Sequence, residues 1–419
     1  MDILVIGSGG REAAIIWKLA QSARVDRLYC APGNHGISRY ASCFPVAAND
    51  IEGILDLAKR LAVDLVFVAP DDPLAMGLVD RLEDIGIDAF GPKQRAAQLE
   101  SSKSFAKNLM KQMRIPTAEC VVFSDLEAAI DYAETCELPQ VLKADGLALG
   151  KGVVICHNRV EILQTVHDMM REKRYGEAGQ TILFEEFLVG PELTLLAFTD
   201  GKNYSLMPTS RDHKRALDGD LGPNTGGMGA VVPGAELSAY ELSRIESEIV
   251  QPTLDGLRLQ GIDYKGIIYF GLMLTADGPK VIEYNARFGD PECQALLPLL
   301  ETDLVQIIQA INAERLGGLD INWRKDSSCA LVLASGGYPG DYTKGYPIRG
   351  LKQLTDVYLF EAGTIENEEQ QAVTNGGRVL TLVSTAVDLN EAISVCYREA
   401  EKISYTGLYY RKDIGTVRT

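Results

Sequence analysis

The first 92 residues alternate short apolar strands with amphipathic helices, and this alternation limits the possible folds more than any other feature of the chain. We predict strands at 3–6, 27–30 and 65–68, and helices at 12–21, 51–61 and 74–85. Strands separated by helices of this length form βαβ units, in which neighbouring strands are parallel. The N-terminal part is therefore expected to be a parallel α/β domain that ends near the Gly91-Pro92-Lys93 break.

The rest of the chain reads as α+β structure in two further parts. A helix at 102–113 leads to a hinge at 115–117, and a small unit follows with strands near 119–123, 140–144, 151–156 and 180–184 and helices near 125–135 and 159–173. Longer strands and a helix at 238–260 come next, and after Trp323 we expect strands near 328–334 and 377–385 and a helix near 389–402. We predict a multidomain α/β and α+β protein divided at 1–101, 102–325 (with 117–190 as a smaller, lid-bearing subdomain) and 326–419.

Charge and cysteine usage exclude several classes of protein. The net charge of −17 leaves no basic surface for nucleic acid or an anionic membrane, and apolar runs such as 267–274 are too short to cross a bilayer. The eight cysteines show no CxxC spacing, which favours reduced thiols over a disulfide or zinc framework. We expect a cytoplasmic protein that binds small molecules.

Residues 280–292 carry the clearest chemical signal. Alternation along a strand places Glu283 and Asn285 on one face, and Arg287 continues the alternation. A carboxylate and an amide oxygen together suit Mg²⁺, and a guanidinium beside them can hold a carboxylate or a phosphate. The alternative is an ordinary edge strand whose polar side chains face water.

Two glycine-rich segments follow predicted strands. Gly7-Ser-Gly-Gly-Arg-Glu12 opens a helix whose N–H groups can hold a phosphate, with Glu12 on a hydroxyl. A dinucleotide site is disfavoured because Glu12 replaces the third glycine and the second strand ends without an acidic residue. Residues 143–152 place Lys143 and Lys151 at the ends of a β-hairpin loop that can approach phosphates. In both cases a plain turn without a ligand remains open.

Two further segments carry weaker signals. Residues 184–192 look like a strand that runs into a linker, whose backbone could pair with an adenine and whose Glu192 could hold a ribose. Residues 211–229 join a basic cluster to a glycine-rich loop, a combination that is costly to order unless it binds something. His213 lies in this cluster without a partner nearby in sequence, and we interpret it as an anion contact.

In this order, the segments resemble the glycinamide ribonucleotide synthetase (phosphoribosylamine–glycine ligase) family of the ATP-grasp superfamily. The resemblance covers essentially the whole chain, and 336–341, 374–378 and 411–415 also match. It implies that ATP activates glycine as an acyl phosphate, which the amine of 5-phosphoribosylamine then attacks. Mg²⁺ or Mn²⁺ is the implied cofactor, ATP a co-substrate, and the protein a monomer.

The resemblance also assigns residues. Catalytic roles are implied for Arg287, Lys143 and Lys151, and metal binding for Glu283 and Asn285. The implied ATP contacts are Lys103, Lys143, Gly146, Gly150, Lys151, Gly152, Glu185, Glu186, Phe187, Leu188 and Glu192. The implied substrate contacts are Gly9, Gly10, Arg11, Glu12, Asp212, His213, Lys214, Arg215, Asn224, Gly226, Gly227, Arg287, Asp290 and Pro291.

Some positions depart from the family pattern. Ala13 stands where histidine is common, and Asp71-Asp72 replaces Glu-Ala, which leaves the contacts to the amine substrate open. Two alternatives to the synthetase remain. One is another ATP-grasp carboxylate–amine ligase, and the other is a non-catalytic nucleotide-binding regulator.

Overall fold

Five parallel strands form the N-terminal sheet in the computed structural model, which describes residues 1–148 and 152–416. The strands are β1 (Asp2–Gly7), β2 (Arg27–Pro32), β3 (Ser42–Cys43), β4 (Leu65–Val68) and β5 (Asp88–Phe90), in the order β3-β2-β1-β4-β5. The helices are α1 (Gly10–Leu19), α2 (Ile51–Leu61), α3 (Asp71–Ala75), α4 (Leu78–Asp84), α5 (Gln94–Ser101) and α6 (Lys103–Met113). The predicted parallel α/β fold is confirmed, and its strand order reverses between β1 and β4, where such sheets bind ligands at their carboxyl edge.

The prediction of one continuous helix at 74–85 is wrong. The structure has two helices there, separated at Gly77, whose φ of +81° lies in the left-handed region. Glycine adopts this conformation without the steric cost that other residues meet, so the first helix can stop and the second can start in a new direction.

Residues 117–190 fold into a four-stranded antiparallel sheet with helices on one face. The strands are β6 (Cys120–Phe123), β7 (Gln140–Ala144), β8 (Val153–Cys156) and β9 (Ile182–Glu186), in the order β6-β9-β7-β8, and the helices are α7 (Leu126–Thr135) and α8 (Arg159–Val166). β7 and β8 pair antiparallel, with Gln140 opposite Cys156 and Lys143 opposite Val153. Apolar side chains of the helices and the sheet, such as Ile162 and Phe184, form the core of this unit.

A second antiparallel sheet carries the segment that the sequence singles out. Its members are β10 (Glu192–Thr199), β11 (Tyr204–Leu206), β16 (Gly266–Thr275) and β17 (Gly278–Asn285), in the order β11-β10-β16-β17. Helices α9 (Ala239–Ile245) and α10 (Gln251–Leu259) are joined by a π-helical turn, Glu246–Val250, so the predicted helix at 238–260 is continuous. Together with α6 they cover one face of this sheet.

The C-terminal sheet draws strands from both sides of the boundary predicted at residue 325. Its order is β12 (Arg211–Asp212), β15 (Gly229–Val232), β18 (Ser327–Ser335), β22 (Arg378–Ala386) and β19 (Tyr358–Glu361), with β23 (Leu408–Tyr409) on β18. Two hairpins, β13 (Arg215–Leu217) with β14 (Leu221–Asn224) and β20 (Thr364–Glu366) with β21 (Ala372–Thr374), complete the strands. The remaining helices are α11 (Glu292–Leu296), α12 (Leu304–Asn312) and α13 (Leu389–Ala400). The three predicted domain ranges stay a prediction, because the sheets alone do not divide the chain there.

One apolar core joins the N-terminal, central and C-terminal parts. Helix α1 packs against α11, α12 and β19, and Ile15, Leu296 and Phe360 are buried together. This packing brings the carboxyl ends of β1 and β17 to the same place in the molecule. No helix in residues 1–148 and 152–416 is both long and apolar enough to cross a membrane.

Candidate active site

A β-bulge shapes the strand that carries the predicted metal ligands. Gly271 pairs with Glu283 and Leu272 with Val281, so Ile282 is an extra residue without a partner on β16. Val281 is buried on one face, while Glu283 and Asn285 are partly exposed on the other. The strand ends at Asn285, so the expectation that Arg287 continues the strand alternation is wrong. Arg287 nevertheless remains close to Asn285, with Nη2 3.3 Å from Oδ1.

Four cationic side chains surround the Glu283 carboxylate. Lys214 is the nearest in the structure, with Nζ 3.5 Å from Oε1. Burial opposes ionisation of this carboxylate, but Lys214, Lys143, Lys103 and Arg287 together lower the pKa of Glu283 below its ordinary value. Glu283 is therefore ionised at neutral pH, within a cluster of positive charge that suits an anionic ligand.

Lys143 is held by the bulge and by a buried glutamate. Its Nζ donates to the carbonyl of Ile282 at 2.9 Å and lies 2.9 Å from Oε2 of Glu185 on β9. The same carboxylate oxygen lies 3.1 Å from Nζ of Lys107, which also donates to the Thr117 hydroxyl at 2.8 Å. Glu185, predicted to lie in the adenine hinge, thus organises two lysines at the junction between α6 and the lid-bearing sheet.

The described part of the lid loop is anchored to the start of α6. Lys103 Nζ donates to the carbonyl of Gly146 at 2.9 Å. Asp145 accepts hydrogen bonds from the Ser104 N–H at 3.1 Å, the Ser104 hydroxyl at 2.5 Å and the Ser102 hydroxyl at 3.2 Å. Gly152 closes the hairpin, since its carbonyl accepts from the Ala144 N–H at 2.9 Å. The predicted contacts Gly150 and Lys151 lie outside the described residues.

The hinge residues lie at the end of β9. Glu186 ends this strand and is exposed, 3.5 Å from Lys280. Phe187 and Leu188 follow it, half-buried, and Phe187 lies edge-on to the ring of His157 at 6.3 Å. Glu192 begins β10 with its carboxylate 3.4 Å from Lys214 Nζ, so a predicted ribose ligand and a predicted substrate contact meet.

Arg287 is fixed by a glutamate that sequence reasoning missed. Nη2 of Arg287 donates to Oε1 of Glu100 at 2.5 Å, and Nη1 donates to the carbonyl of Phe288 at 3.2 Å. Asp71 lies further away, at 3.9 Å. Burial raises the pKa of Glu100 to about 7, and the attraction of Arg287 offsets only part of that effect.

Carboxylates of the protein accept hydrogen bonds from the donors of the N-terminal loop. Gly9 N–H donates to Oε2 of Glu12 at 2.6 Å, and Arg11 Nε lies 2.7 Å from Oε1 of the same carboxylate. The backbone N–H of Arg11 donates to Asp290, and its side chain reaches the Phe288 carbonyl at 3.2 Å. The N–H groups at the start of α1, which were expected to bind a phosphate, are therefore largely occupied by carboxylates of the protein.

Arg378 contacts two segments that carry predicted substrate contacts, 226–227 and 290–291. Nη2 lies 3.1 Å from Oδ2 of Asp290, and Nη1 donates to the carbonyls of Gly226 at 2.5 Å and Asp290 at 2.8 Å. Pro291 lies so close to Gly227, whose φ is +106°, that a side chain at that position would collide with the proline ring. These contacts place 226–227 and 290–291 beside the N-terminal loop.

Two acids near Lys214 have pKa values above the ordinary range. Burial raises the pKa of both Asp212 and Glu292, the Glu292 carboxyl group adds to the effect on Asp212, and Lys214 opposes it. Burial lowers the pKa of Lys214, but Asp212, Glu192 and Glu283 outweigh it and leave that pKa well above its ordinary value. The carboxyl groups around Lys214 thus keep its ammonium charged, and its side chain is 31% exposed.

His213 and Arg215 contact the C-terminal segment instead, through Gly415 and Arg411, and Asn224 pairs with Arg215. The buried ring of His213 accepts the Gly415 N–H at Nε2, 3.0 Å away. Burial, together with Arg411 and Arg211, lowers the pKa of His213 to about 4, so the ring is neutral. Arg215 pairs with Asn224 across the β13–β14 hairpin and donates to the Gly222 carbonyl at 2.8 Å.

The donor set fits a hard divalent cation that keeps other ligands. Glu283 and Asn285 offer one carboxylate and one amide oxygen, the atom type that Mg²⁺ prefers. Within the described ranges no group of three or more His, Cys, Asp or Glu side chains could hold a metal ion. Two protein oxygens, with phosphate and water completing the shell, are typical of Mg²⁺ bound together with a nucleotide.

Two residues that contact the candidate site, Glu100 and Lys107, carry no local sequence signal. Their partners Arg287 and Glu185 lie far along the chain, so no motif or periodicity identifies them. Asp145 and Arg378 lie within segments that the sequence singles out, although their contacts could not be predicted from it. A charged residue on the apolar side of an amphipathic helix is the one available hint. Lys107 fits it on the helix predicted at 102–113, whereas Glu100 is buried on α5, a helix that the sequence analysis did not predict.

Comparisons with known proteins agree along the whole chain. Family models described as phosphoribosylglycinamide synthetase match in three parts: the N domain over 1–100, the ATP-grasp (A) domain over 101–293 and the C domain over 328–417. A phosphoribosylamine–glycine ligase of Halalkalibacterium halodurans is 47% identical over 419 residues, which cover 99% of this chain and 97% of that protein.

Solved structures show the same architecture. The crystal structure of phosphoribosylamine–glycine ligase from Thermotoga maritima matches with a TM-score of 0.86 and 33% identity, covering 99% of this chain and 100% of the other. A biotin carboxylase domain of Hydrogenobacter thermophilus, in complex with MgADP, matches with a TM-score of 0.75 at 16% identity, covering 97% and 91% of the two chains. This second likeness concerns the fold alone.

Proposed function

This chain belongs to the phosphoribosylglycinamide synthetase family, and from that premise we propose that it joins glycine to 5-phosphoribosylamine in an ATP-dependent reaction. The products are glycinamide ribonucleotide, ADP and phosphate, and the reaction belongs to purine biosynthesis. The protein is a carbon–nitrogen ligase in this proposal.

The observation that carries the proposal is the cluster of cations around Glu283. A carboxylate is a poor electrophile, so glycine must first be converted to an acyl phosphate. Lys103, Lys143 and Arg287 are positioned to neutralise the charge on a phosphoryl group during transfer, which is the main requirement of this chemistry. Lys151 is proposed to act with them from the lid.

Glu283 and Asn285 would hold Mg²⁺ (or Mn²⁺), which when bound supplies charge neutralisation at the ATP phosphates. The protein prepares these oxygens without the metal. Lys214 and the neighbouring cations keep Glu283 ionised, and Arg287 orients the Asn285 amide by donating to its oxygen.

The second half of the reaction needs positioning more than acid–base catalysis. The amine of phosphoribosylamine attacks the acyl carbon, and phosphate leaves. We propose that Glu12 and Asp290 contact the hydroxyl or amine groups of this substrate, because they already occupy backbone donors that a phosphate would need. The lid loop, residues 145–152, would exclude water from the acyl phosphate.

Two departures from the family pattern lie in the N-terminal part of the chain. Ala13 is buried, with 6% of its surface exposed, so it packs within the N-terminal core. Asp71 lies 3.9 Å from Arg287, and Arg287 and Arg11 outweigh burial and lower the pKa of Asp71. We propose that Asp71 is an ionised neighbour of the amine substrate. A cytoplasmic location and a monomeric state are further parts of the proposal.

The test is an assay of ADP release with ATP, Mg²⁺, glycine and freshly made phosphoribosylamine. We expect release that requires both glycine and the amine, with glycinamide ribonucleotide as product. Release with another carboxylate or amine would indicate a different ATP-grasp ligase. ATP binding without ADP release under any of these conditions would indicate a non-catalytic regulator.

A further inference from the structure

Glu100 connects the N-terminal domain to the end of β17 through two contacts. It lies in the last turn of α5 with 8% of its surface exposed. Oε1 accepts a hydrogen bond from Nη2 of Arg287 at 2.5 Å, and Oε2 accepts one from the backbone N–H of Ala286 at 2.7 Å. One carboxylate therefore holds both a side chain and the backbone next to it.

The two hydrogen bonds to Glu100 matter because Ala286 and Arg287 directly follow the end of β17. Ala286 lies between Asn285, a proposed metal ligand, and Arg287, the proposed arginine of the phosphoryl-transfer site. β17 ends at Asn285, so the ladder with β16 no longer fixes the backbone beyond it. The hydrogen bond from Ala286 to Glu100 replaces the strand pairing at the point where the chain carries Arg287 into the site.

The guanidinium of Arg287 also depends on Glu100. Its other close contacts are the Phe288 carbonyl at 3.2 Å and the Asn285 amide oxygen at 3.3 Å, both from its own chain segment. Nε is buried and, among the described residues, makes no hydrogen bond. Glu100 is thus the nearest carboxylate to Arg287, since Asp71 is 3.9 Å away.

We propose that Glu100 is a positioning residue, which sets Arg287 for transfer of the phosphoryl group onto glycine by holding the guanidinium and the Ala286 backbone together. The proposal rests on the function proposed above. It also gives α5, which packs against β17 and α6, a role in joining the N-terminal sheet to the ATP site. Glu100 itself touches no substrate in this account.

Glu399 offers a matched control, because it is a buried carboxylate with the same kinds of partner at a distant place. It lies on α13 with none of its surface exposed, accepts the Thr355 N–H at 3.1 Å and lies 2.6 Å from Lys402 Nζ. If Glu100 acts only on stability, the variants Glu100→Ala and Glu399→Ala will behave alike in catalysis. If it positions Arg287, only Glu100→Ala will lose turnover.

The experiment compares kcat and KM of Glu100→Ala, Glu100→Gln and Glu399→Ala in the full-length protein. We expect kcat of Glu100→Ala to fall about 10²-fold, because misplacement of a catalytic group by about 1 Å has an effect of that size. KM for ATP should change by less than about threefold, since Lys143 and Glu185 remain in place. Glu100→Gln keeps an acceptor for Ala286 and should lose about tenfold, while Glu399→Ala should keep kcat. Equal kcat in Glu100→Ala and Glu399→Ala overturns the proposal.

A double-mutant cycle tests whether Glu100 acts through Arg287. The losses for Glu100→Ala and Arg287→Ala should not add, so that the double variant is no slower than Arg287→Ala alone. Additive losses would contradict the proposed route. The crystal structure of Glu100→Ala supplies a readout that is independent of the reaction. It should show the Arg287 guanidinium displaced, and an unmoved guanidinium refutes the positioning role even if the protein catalyses another reaction. If wild-type protein shows no glycine-dependent ADP release, the proposed function fails, and this crystal structure still decides the role of Glu100.

Discussion

The two glycine-rich loops look alike in sequence but are held in different ways in the structure. In the N-terminal loop, Glu12 and Asp290 take the N–H donors of Gly9 and Arg11, so the loop is closed upon itself. In the lid loop, Asp145 accepts hydrogen bonds from Ser102 and Ser104 at the start of α6 and donates its N–H to the Thr181 carbonyl at 3.0 Å, while the Gly146 carbonyl accepts from Lys103. The first loop thus has its N–H donors taken by carboxylates, whereas the second contributes the carboxylate that anchors it. A glycine-rich turn after a strand does not reveal which, because the deciding partners are distant in sequence.

The largest effect on turnover is expected for Lys143, a member of the cation cluster around Glu283. Lys143→Ala should lower turnover about 10²- to 10³-fold, because it removes one electrostatic contact to the transferring phosphoryl group. Lys107→Ala is the matched control, since both lysines lie about equally near Glu185, at 2.9 and 3.1 Å. The control should destabilise the protein and keep most of kcat. Equal losses of kcat would mean that Lys143 serves Glu185 and not ATP.

A substitution at Gly10 tests whether the N-terminal loop is closely packed. A Cβ at this position would lie 2.5 Å from Nε2 of Gln294, which is fully buried. Nε2 is the end of a flexible side chain, but it is held by its hydrogen bond to Asp290 at 2.6 Å, so Gly10→Ala should cost about 2 kcal/mol of stability, within the range of overpacking effects. Thermal unfolding measures this loss, and Gly318→Ala, where no atom lies within 4 Å of the added Cβ, should cost much less. A stable Gly10→Ala protein would mean that the loop is open.

The stability of the protein should depend on pH through the buried side chain of His213, which, like the donors of the N-terminal loop, is occupied by a contact within the protein. The pKa of His213 is about 4 in the folded protein and near its ordinary value of 6.5 when unfolded, so the unfolded chain binds the additional proton between these values. Stability from this group is full at high pH and falls by about 2 kcal/mol between pH 8 and pH 5.

Urea unfolding at several pH values measures this dependence. His213→Gln keeps a side-chain acceptor for the Gly415 N–H and should unfold with a weaker dependence on pH over that range. An unchanged dependence in this variant would show that His213 titrates normally and is open to solvent, as an anion contact would be.

The smallest effect concerns the tether of the lid. Asp145→Ala removes three hydrogen bonds to Ser102 and Ser104, which should weaken ATP binding by about 1 kcal/mol and change kcat little. Asp125→Ala, which removes the N-cap of α7 in the same subdomain, is the control. KM for ATP should rise about fivefold in Asp145→Ala alone. A large loss of kcat would mean that Asp145 does more than anchor the loop.

Local patterns predicted the elements well and the contacts poorly. The amphipathic stripe of α2 and the apolar run of β4 have the predicted bounds, because burial of one face decides both. Glu283 and Asn285 share a face as strand alternation predicts, although the bulge at Ile282 carries no sequence signal. The occupied donors of the N-terminal loop depend on Asp290, which lies about 280 residues further along the chain, and the contact between Glu100 and Arg287 spans 187 residues. Such contacts follow from tertiary packing, so residue spacing alone could not predict them.

The fate of the carboxylate oxygen of glycine tests the central claim most directly. If ATP activates glycine at the γ-phosphoryl group, as the cations around Glu283 indicate, one carboxylate oxygen leaves with phosphate when the amine attacks. Glycine labelled with ¹⁸O in its carboxylate should then pass one labelled oxygen per turnover into inorganic phosphate, which mass spectrometry of the phosphate detects. Unlabelled phosphate, or label in AMP together with release of pyrophosphate, would contradict the account.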